Sequence, residues 1–322
     1  MRLQPRLPRQ RGTALLLAMV ILTLVATLTA AMVTQQQRAI TVEAAERART
    51  QASWVLVGAL DWARLVLRED SRSGSVDHLG EPWATPLAEA RLSTFLAADR
   101  ESPSADEGPE AFLSGQVLDL QARYNLNNLL NDEGQLVEVE VEVLSRLCQV
   151  LGLPDDVPGR IATGLEAAAR DGDDSAPLLP AKLAQLAWLG IEPDTIARLE
   201  GFAVMLPEPS PLNVNTATRE VLAAAVPGLD LGSAERLVQR RQRTPFRTLD
   251  DIKRELPAAA LETLPDNRLG VGSSHFEVLG RLRLEDRVFE ERSVVQRRGA
   301  NQGGEIIVIQ RERRSILPGS PN

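Results

Sequence analysis

The sequence predicts an α+β fold in which a long N-terminal helix packs on an antiparallel sheet and a large all-α insertion interrupts the sheet. Three observations predict this fold. Near its start the chain has 21 uncharged residues, 13–33, that continue without a break into an amphipathic stretch. Residues from about 138 to 206 show helical spacing of apolar residues, and the last third alternates between apolar and polar residues.

Composition limits the class of protein. The 322 residues carry a net charge of −8, which argues against a dedicated nucleic-acid-binding protein. The one cysteine, Cys148, lies in an amphipathic helix pattern that favours a buried small side chain. The two histidines, His78 and His275, are far apart, so a zinc site or a cysteine–histidine nucleophile is not predicted. The sequence has no nucleophile–base pair or phosphate loop, and we predict that the protein is not an enzyme.

The first element is the apolar segment 13–33 (TALLLAMVILTLVATLTAAMV). As a helix it rises about 31 Å, enough to cross the hydrocarbon core of a bilayer. Four arginines precede it: Arg2, Arg6, Arg9 and Arg11. This excess of positive charge predicts a cytoplasmic N-terminus, with most of the chain across the membrane. A cleaved signal peptide is the competing interpretation, because residues 26–31 (ATLTAA) resemble a cleavage site, but the apolar segment is longer than such signals have.

The apolar segment continues into an amphipathic helix. Between Gln35 and Arg68 there is no proline and a single glycine, Gly58, and apolar residues recur at spacings of three and four. We therefore predict one helix from about Thr13 to about Arg68, on the order of 80 Å long. Its first half is apolar all round and its second half is amphipathic, which is typical of a helix that lies half in a membrane or filament and half against a globular domain.

This N-terminal pattern resembles the precursors of type IV pilins and of the pseudopilins of type II secretion. In that family a prepilin peptidase cuts after a glycine, here Gly12, and the new N-terminal residue, here Thr13, is methylated. Most members carry a glutamate at the fifth mature position, where this chain has Leu17. The K-type minor pseudopilins (general secretion pathway protein K, GspK) are similar in lacking it, and the chain is identified as a member of that family.

The resemblance implies a pilin-type fold and a minor pseudopilin at the tip of the periplasmic pseudopilus. An ionised glutamate in apolar surroundings needs a charged partner, and a subunit with Leu17 cannot offer that glutamate to a subunit beneath it. The implied partners are the I-type and J-type minor pseudopilins, the major pseudopilin, the prepilin peptidase and exported folded proteins. The implied location is the inner membrane, with a single span and a periplasmic C-terminal domain, and the implied role is to help initiate pseudopilus assembly.

The middle of the chain is predicted in less detail. Residues 69–86 read as a loop, 86–100 as a weak helix and 101–109 as a second loop. Alternation over Val117–Tyr124 predicts a half-buried strand, and the asparagines that follow favour a turn over cation ligands. Four helical segments then follow, around residues 139–151, 158–169, 181–188 and 194–205.

The candidate metal ligands are Asp171, Asp173 and Asp174 (RDGDDS). Calcium prefers several oxygen ligands, but this cluster lacks the spacing and final glutamate of an EF-hand, and a solvated acidic turn is the more ordinary interpretation. The resemblance adds that K-type pseudopilins bind calcium through longer acidic loops, whereas this chain is shortened there. Calcium is therefore the one candidate cofactor, and no other is predicted.

Residues 210–256 resemble a helix-hairpin-helix, with NVNTA, a PG turn and PFRTLDD in sequence. In a true hairpin, backbone N–H groups at the turn and a helix N-terminus contact phosphate. Five arginines supply positive charge: Arg236, Arg240, Arg241, Arg243 and Arg247. However, Asp230 lies where an anion approaches, the segment is close to neutral, and K-type pseudopilins have a similar NVNTA sequence. We interpret the segment as structural; the alternative functions are a membrane-anchored DNA receptor or a minor pilin of a type IV pilus.

The last third predicts antiparallel strands. Alternation over His275–Leu284 puts Phe276, Val278, Leu282 and Leu284 inward and Glu277, Arg281 and Arg283 outward. Residues 287–297 and 304–311 are two further strands, joined by a tight connection at 299–304. Their apolar face needs a cover, which the amphipathic half of the first helix can supply.

The predicted domains are a leader (1–12), a membrane or filament half-helix (13–34), the first part of the pilin domain (35–132), the all-α insertion (133–212), the hairpin-like segment (213–268) and the terminal strands (269–322).

Overall fold

The computed structural model describes residues 12–93, 110–170, 177–285, 287–299 and 304–316. The chain divides into two compact units, Met1–Val55 and Leu56–Asn322, and each is described by itself. Helix α1 (Thr13–Ser73) is a single α-helix of 61 residues. The predicted continuous helix is thus confirmed, and it extends beyond Arg68 to Ser73, so the first residues of the predicted loop at 69–86 are helical. The Gly74 amide donates to the Asp70 carbonyl at 3.3 Å.

The second unit contains a five-stranded antiparallel sheet in the order β1-β2-β7-β8-β9. The strands are β1 (Leu87–Arg91), β2 (Ala111–Asp119), β7 (His275–Leu284), β8 (Arg287–Arg297) and β9 (Ile306–Ile316). The three terminal strands confirm the prediction, although β9 begins and ends later than expected. Residues 300–303 of the predicted tight connection lie outside the described residues; at its two ends the amide of Gly304 donates to the Gly299 carbonyl at 3.3 Å.

Two predictions in the middle of the chain are wrong. The first part of the predicted weak helix at 86–100 is strand β1, because pairing with β2 outweighs the helix propensity of LAEAR. The strand predicted at Val117–Tyr124 ends at Asp119, whose carboxylate accepts a hydrogen bond from the Gln121 amide and turns the chain into a 3₁₀ helix. Predictions for residues 94–109 lie outside the described residues.

The amphipathic end of α1 covers one face of the sheet, as the sequence predicts. Leu60, Ala63 and Leu67 of α1 are buried against apolar residues of the sheet and its flanking loop: Trp83, Phe276, Val278, Val295 and Ile306. The rings of Trp83 and Phe276 meet edge to face, with centroids 5.2 Å apart. Burial of this apolar surface is the principal force that holds the helix on the sheet.

The opposite face of the sheet is not solvated throughout. Glu277, predicted to point outward, is 8% exposed. Its carboxylate lies 3.9 Å from the Arg123 guanidinium and 3.4 Å from that of Arg292, which neutralise it. The prediction for Glu277 is therefore wrong, because strand alternation reports the face of the sheet but not whether another segment covers it.

The described residues between 138 and 263 are predominantly helical. The helices are α2 (Glu138–Val150), α3 (Val157–Ala169), α4 (Pro193–Leu199), α5 (Arg219–Ala225), α6 (Leu231–Arg243), α7 (Leu249–Lys253) and α8 (Ala258–Thr263). The segment predicted as a helix at 181–188 is a 3₁₀ helix, Leu183–Leu189. The last predicted helix ends early, because Ala203–Val204 forms strand β4, which pairs in parallel with β3 (Tyr124–Asn125). A second short parallel pair joins β5 (Leu212–Asn213) to β6 (Leu269–Gly270).

One apolar core runs through these helices. It includes Leu144, Leu147, Ile161 and Leu165, each without exposed surface. Cys148 belongs to the same core, and its burial raises the pKa of the thiol to about 12. The thiol is therefore protonated at neutral pH, and the expectation of a buried small side chain is confirmed.

Candidate functional site

The predicted processing site lies at the start of α1. Gly12 is exposed, and a Cβ built on it meets no atom of the described residues within 4 Å. Its carbonyl accepts the hydrogen bond of the Leu16 amide at 3.3 Å. Thr13 is the first helical residue. The Gly12–Thr13 bond therefore lies immediately before the first helical residue.

The first turns of α1 carry apolar side chains that the protein leaves uncovered. In the part of the chain that the structure describes, α1 is the helix long and apolar enough to cross a membrane. Leu17 is 62% exposed, and Leu22 is 70% exposed. The first turn contains no acidic residue. Such a surface is stable in lipid or against other apolar helices, and not in water.

A second apolar face lies further along α1, within the second unit. Trp62 and Leu65 are 59% and 50% exposed and are three residues apart, so they share one side of the helix. Gly58 precedes Trp62 by one turn, and a Cβ built there meets nothing within 4 Å. This side faces away from Leu60, Ala63 and Leu67, which pack on the sheet. We call Gly58, Trp62 and Leu65 the outer face of α1.

The NVNTA segment, 213–217, forms a buried polar joint between the helices and the sheet. The Asn213 side chain donates to the Asp77 carbonyl at 3.1 Å, to Asp119 Oδ2 at 2.9 Å and to Ser273 Oγ at 2.9 Å. Asn215 accepts from the Phe246 amide at 2.9 Å and donates to its carbonyl at 2.9 Å. The segment therefore binds the loop after α1, the end of β2, the approach to β7 and the loop between α6 and α7.

Asp119 is the acceptor at the centre of this joint. Besides Asn213 it accepts from the Gln121 amide at 2.8 Å, from Thr216 Oγ1 at 2.6 Å and from Ser273 Oγ at 2.7 Å. Burial raises the pKa of its carboxyl group, whereas these donors act in the opposite direction. Sequence reasoning missed Asp119 as part of a site. The available signal was the run of polar residues in NVNTA between apolar neighbours, which is typical of a buried hydrogen-bonded segment.

Arg297, at the end of β8, ties the end of α1 to the same region. Its guanidinium donates to Asp70 Oδ2 at 2.9 Å, to Asp77 Oδ1 at 2.5 Å and to the Ser273 carbonyl at 2.6 Å. Oxygen atoms of Asp70, Asp77 and Glu81 lie within 4.8 Å of one another, a spacing that a cation can bridge. Because the arginine already lies between two of these carboxylates, we interpret the group as an ion-pair cluster and do not assign it a metal.

The acidic residues predicted as metal ligands, Asp171, Asp173 and Asp174, lie outside the described residues. Where the sequence predicts a turn at the asparagines after β2, the structure has the end of strand β3 at Asn125 and then a 3₁₀ helix, Leu126–Leu129, that contains Asn127 and Asn128. Asn125 Oδ1 accepts from the Asn127 amide at 3.1 Å, and the Asn125 side-chain amide donates to the Glu208 carbonyl at 2.8 Å. Both the oxygen and the nitrogen of the Asn125 side chain are therefore hydrogen-bonded to backbone groups of the protein.

The hairpin-like segment does not present a phosphate site. Asp230 caps α6, with Oδ1 accepting from the Ser233 amide at 2.9 Å and Oδ2 from Ser233 Oγ at 2.7 Å. These bonds from Ser233 lower the pKa of the Asp230 carboxyl group, so a negative charge occupies the helix N-terminus to which a phosphate would bind. Thr218 and Thr248 cap α5 and α7 in the same way.

The side chains of three of the five arginines of this segment contact other groups of the protein itself. Arg241 is buried, donates to the Val214 carbonyl and has its pKa lowered to about 10 by burial. Arg240 lies 3.7 Å from Glu255 and 5.4 Å from the Phe246 ring centroid. Arg236 donates to Ser233 Oγ at 2.7 Å. Arg243 and Arg247 are exposed.

Comparison with known proteins gives a consistent result. The family model described as type II secretion system (T2SS), protein K, matches residues 212–272, which include the NVNTA segment and the hairpin-like helices. The type II secretion system protein K of Pseudomonas aeruginosa is 30% identical over 329 residues, covering 94% of this chain and 92% of its own length. The protein of the same name from Pectobacterium carotovorum is 26% identical, with 94% and 96% covered.

A solved structure has the same fold. A chain of the crystal structure of the GspK-GspI-GspJ complex from the type 2 secretion system of enterotoxigenic Escherichia coli superposes with a TM-score of 0.62. The sequences are 18% identical, and the match covers 84% of this chain and 98% of the other.

Proposed function

Because this chain belongs to the type II secretion system protein K family, we propose that it acts as a minor pseudopilin in the export of folded proteins across the outer membrane. The observation that carries the proposal is α1, a single helix with an apolar, uncovered first part and a second part packed on a sheet. The first part anchors the protein in the membrane or the filament core, and the second carries the globular unit. This role is one of assembly, and we propose no catalytic activity.

We propose that the leader 1–12 is removed at the Gly12–Thr13 bond and that Thr13 is then methylated. The exposed Gly12 and the intact helix behind it support this proposal. The arginines of the leader keep it in the cytoplasm, so that the globular unit lies in the periplasm. Changing Gly12→Ile should leave the leader attached in cells that contain the peptidase, whereas Gly58→Ala should not. Mass spectrometry of the N-terminus measures both, and normal processing of Gly12→Ile would contradict the proposal.

We also propose a position at the pseudopilus tip. Leu17 supports it, because a chain without a carboxylate there cannot offer one to a subunit beneath it. The described helices between residues 138 and 199 support it as well, because the bulk that they add hinders stacking of another subunit above this one. We also propose that the chain is divided at the domain boundaries predicted from the sequence. The variant Leu17→Glu, which introduces a carboxylate, should shift the chain from the ends of the pseudopilus into its shaft. Immunogold labelling of sheared pseudopili measures this position, and unchanged labelling of the ends would contradict the proposed tip position.

The proposed partners are the I-type and J-type minor pseudopilins, beside the major pseudopilin. We propose that the outer face of α1 contacts a partner helix, since Trp62 and Leu65 are exposed and Gly58 allows close approach of a second helix. The solved GspK-GspI-GspJ complex contains a chain of this fold together with two further proteins, which supports this assembly.

Co-purification of the detergent-solubilised full chain with these minor pseudopilins tests the assembly. The double variant Trp62→Ala and Leu65→Ala should lose at least about tenfold in partner recovery, because exposed anchors of an interface carry much of its affinity. Leu261→Ala, a leucine 39% exposed on α8, is the matched control and should behave like the wild type. Absence of co-purification with the wild-type chain would contradict the assembly, and equal recovery with the double variant would contradict only the outer face.

A further inference from the structure

The end of α1 has a cluster of three carboxylates with one arginine. Asp70 belongs to the last turn of α1, Asp77 and Glu81 follow in the loop, and Arg297 ends β8. Among the ion pairs of the described residues, Arg297 is the only arginine or lysine paired with these carboxylates, and it contacts Asp70 and Asp77. The cluster therefore has more negative than positive charge at neutral pH.

Glu81 and His78 make the other contacts at the edge of the cluster. Glu81 Oε2 accepts from Trp83 Nε1 at 2.8 Å and from the His78 amide at 2.9 Å, both neutral donors. His78 Nε2 lies 3.9 Å from Glu81 Oε1, and His78 Nδ1 accepts from the Gly80 amide at 3.1 Å. Arg297 also lies 5.0 Å from the Phe276 ring centroid, on the side of the apolar core.

The cluster is largely buried. The side chains of Asp70 and Arg297 are each 10% exposed, that of Asp77 is 1% exposed and that of Glu81 is 17% exposed. Three carboxyl groups held this close together, with little contact with water, favour the uptake of a proton by one of them.

We propose that Asp70, Asp77, Glu81 and Arg297 form a proton-dependent latch in which one proton, bound by Asp70, strengthens the attachment of the end of α1 to the sheet. This inference goes beyond the proposed function and does not depend on it. Protonation turns the Arg297–Asp70 ion pair into a hydrogen bond to a neutral carboxyl group, but it also removes the repulsion of Asp70 by Asp77 and Glu81, and Arg297 remains paired with Asp77. The end of α1 and the loop after it are then held more firmly in mildly acidic surroundings than in neutral ones.

The direction of the effect follows from proton linkage. Burial, reinforced by the nearby Glu81 and Asp77 carboxylates, raises the pKa of Asp70 from 3.8 to about 6 in the folded protein. A carboxyl group with a higher pKa in the folded than in the unfolded state binds its proton more tightly when folded. Its contribution to stability therefore rises as the pH falls from above about 6 toward about 4, the reverse of the usual behaviour of a salt-bridged aspartate.

Thermal unfolding of the detergent-solubilised full chain tests the latch with the variant Asp70→Asn, which keeps an oxygen acceptor for Arg297 but carries no charge. At about pH 7.5 the variant should unfold several degrees above the wild type, and at about pH 5 the two midpoints should converge. Glu69→Gln, next in sequence with a side chain 71% exposed, is the matched control and should follow the wild type at both pH values. A variant less stable than the wild type at pH 7.5, or a difference independent of pH, would overturn the proposal.

Hydrogen–deuterium exchange locates the effect. In the wild type, peptides covering residues 66–81 should gain protection between about pH 7.5 and about pH 5.5 after correction for intrinsic exchange, and in Asp70→Asn they should not. Equal gains in both proteins would contradict the latch. Calcium chloride is the competing cation: if it raised the midpoint of the wild type and not that of Asp70→Asn at pH 7.5, the cluster would be a metal site and the proton latch would be wrong.

Discussion

Asn213 donates a hydrogen bond of 2.9 Å to Asp119, and both side chains are buried although 94 residues separate them. The bond joins the end of a sheet strand to the beginning of the segment that the family model matches. Asn213 also holds Asp77 and Ser273, so a single amide side chain fixes the helices, the sheet and the loop after α1 to one another. The NVNTA segment therefore acts as a structural joint in this protein.

Replacement of Asn213 should weaken this joint. Asn213→Ala leaves the buried Asp119 carboxylate without one of its donors, and we expect a loss of about 3 kcal/mol in the free energy of unfolding. Asn213→Asp, which faces Asp119 with a second carboxylate, should lose at least as much at neutral pH. Denaturant unfolding of the full chain in detergent, followed by tryptophan fluorescence, measures both. Asp132→Ala, at an exposed aspartate, is the control; a loss below about 1 kcal/mol for both Asn213 variants would contradict the joint.

Replacement of two neighbouring arginines, Arg241 and Arg243, should change the stability of the protein by different amounts. Arg241→Ala removes the donor to the buried Val214 carbonyl and should cost about 2 kcal/mol of stability. Arg243→Ala, at an exposed position of the same helix, should change stability by less than about 0.5 kcal/mol.

Neither variant should bind duplex DNA differently from the wild type, which we expect to show no binding in gel-shift assays at about 50 mM salt. Wild-type binding that Arg243→Ala weakens would instead support a DNA receptor.

Glycine is required at position 272. A Cβ there would collide with the backbone carbonyl oxygen of Ser75 and would lie 3.3 Å from Asp77 Oδ2. Gly272→Ala should therefore force the loop after α1 away from the sheet and cost about 3 kcal/mol of stability. Gly201→Ala, where a Cβ meets nothing within 4 Å, is the matched control and should be neutral or slightly stabilising. Similar unfolding midpoints for the two variants would show that Ser75 can move at little cost.

His275 should make the protein sensitive to acid. Burial lowers its pKa, and Nε2 has no hydrogen-bond partner among the described residues. The His275 ring stays neutral to a lower pH in the folded protein than in the unfolded chain. As the pH drops below about 6.5, the unfolded chain therefore takes up a proton that the folded protein does not, and the contribution of His275 to stability falls. His275→Leu should consequently lose less stability than the wild type between about pH 7.5 and about pH 5.5 in denaturant unfolding. Equal losses would show that the ring is protonated in the folded protein.

Several features followed from local sequence. The continuous α1 was predictable because no proline interrupts residues 13–68 and apolar residues recur at helical spacing. Strands β7 and β8 were predicted at their observed bounds, because strict alternation identifies a half-buried strand and its inward face. The processing site at Gly12 and Thr13 also came from sequence alone, and it remains a prediction.

Other features depended on contacts between distant segments. Residues 87–91 have helix-forming side chains but pair with β2, so sheet pairing decided their conformation. Glu277 alternates as a surface residue, yet Arg123 and Arg292 lie against it. Neither outcome can be read from a short window of sequence, because the deciding partners lie on other strands or loops of the folded chain.

The long helix with its apolar first part, the terminal strands and the family could be read from the sequence, because each depends on periodicity or on short motifs within one segment. The contacts of NVNTA, the pairing of Arg297 with Asp70 and the proximity of Asp70 to two other carboxylates appeared only in the folded chain. Burial and the distance between charged groups set the energies of these contacts, and both are defined only once the chain has folded.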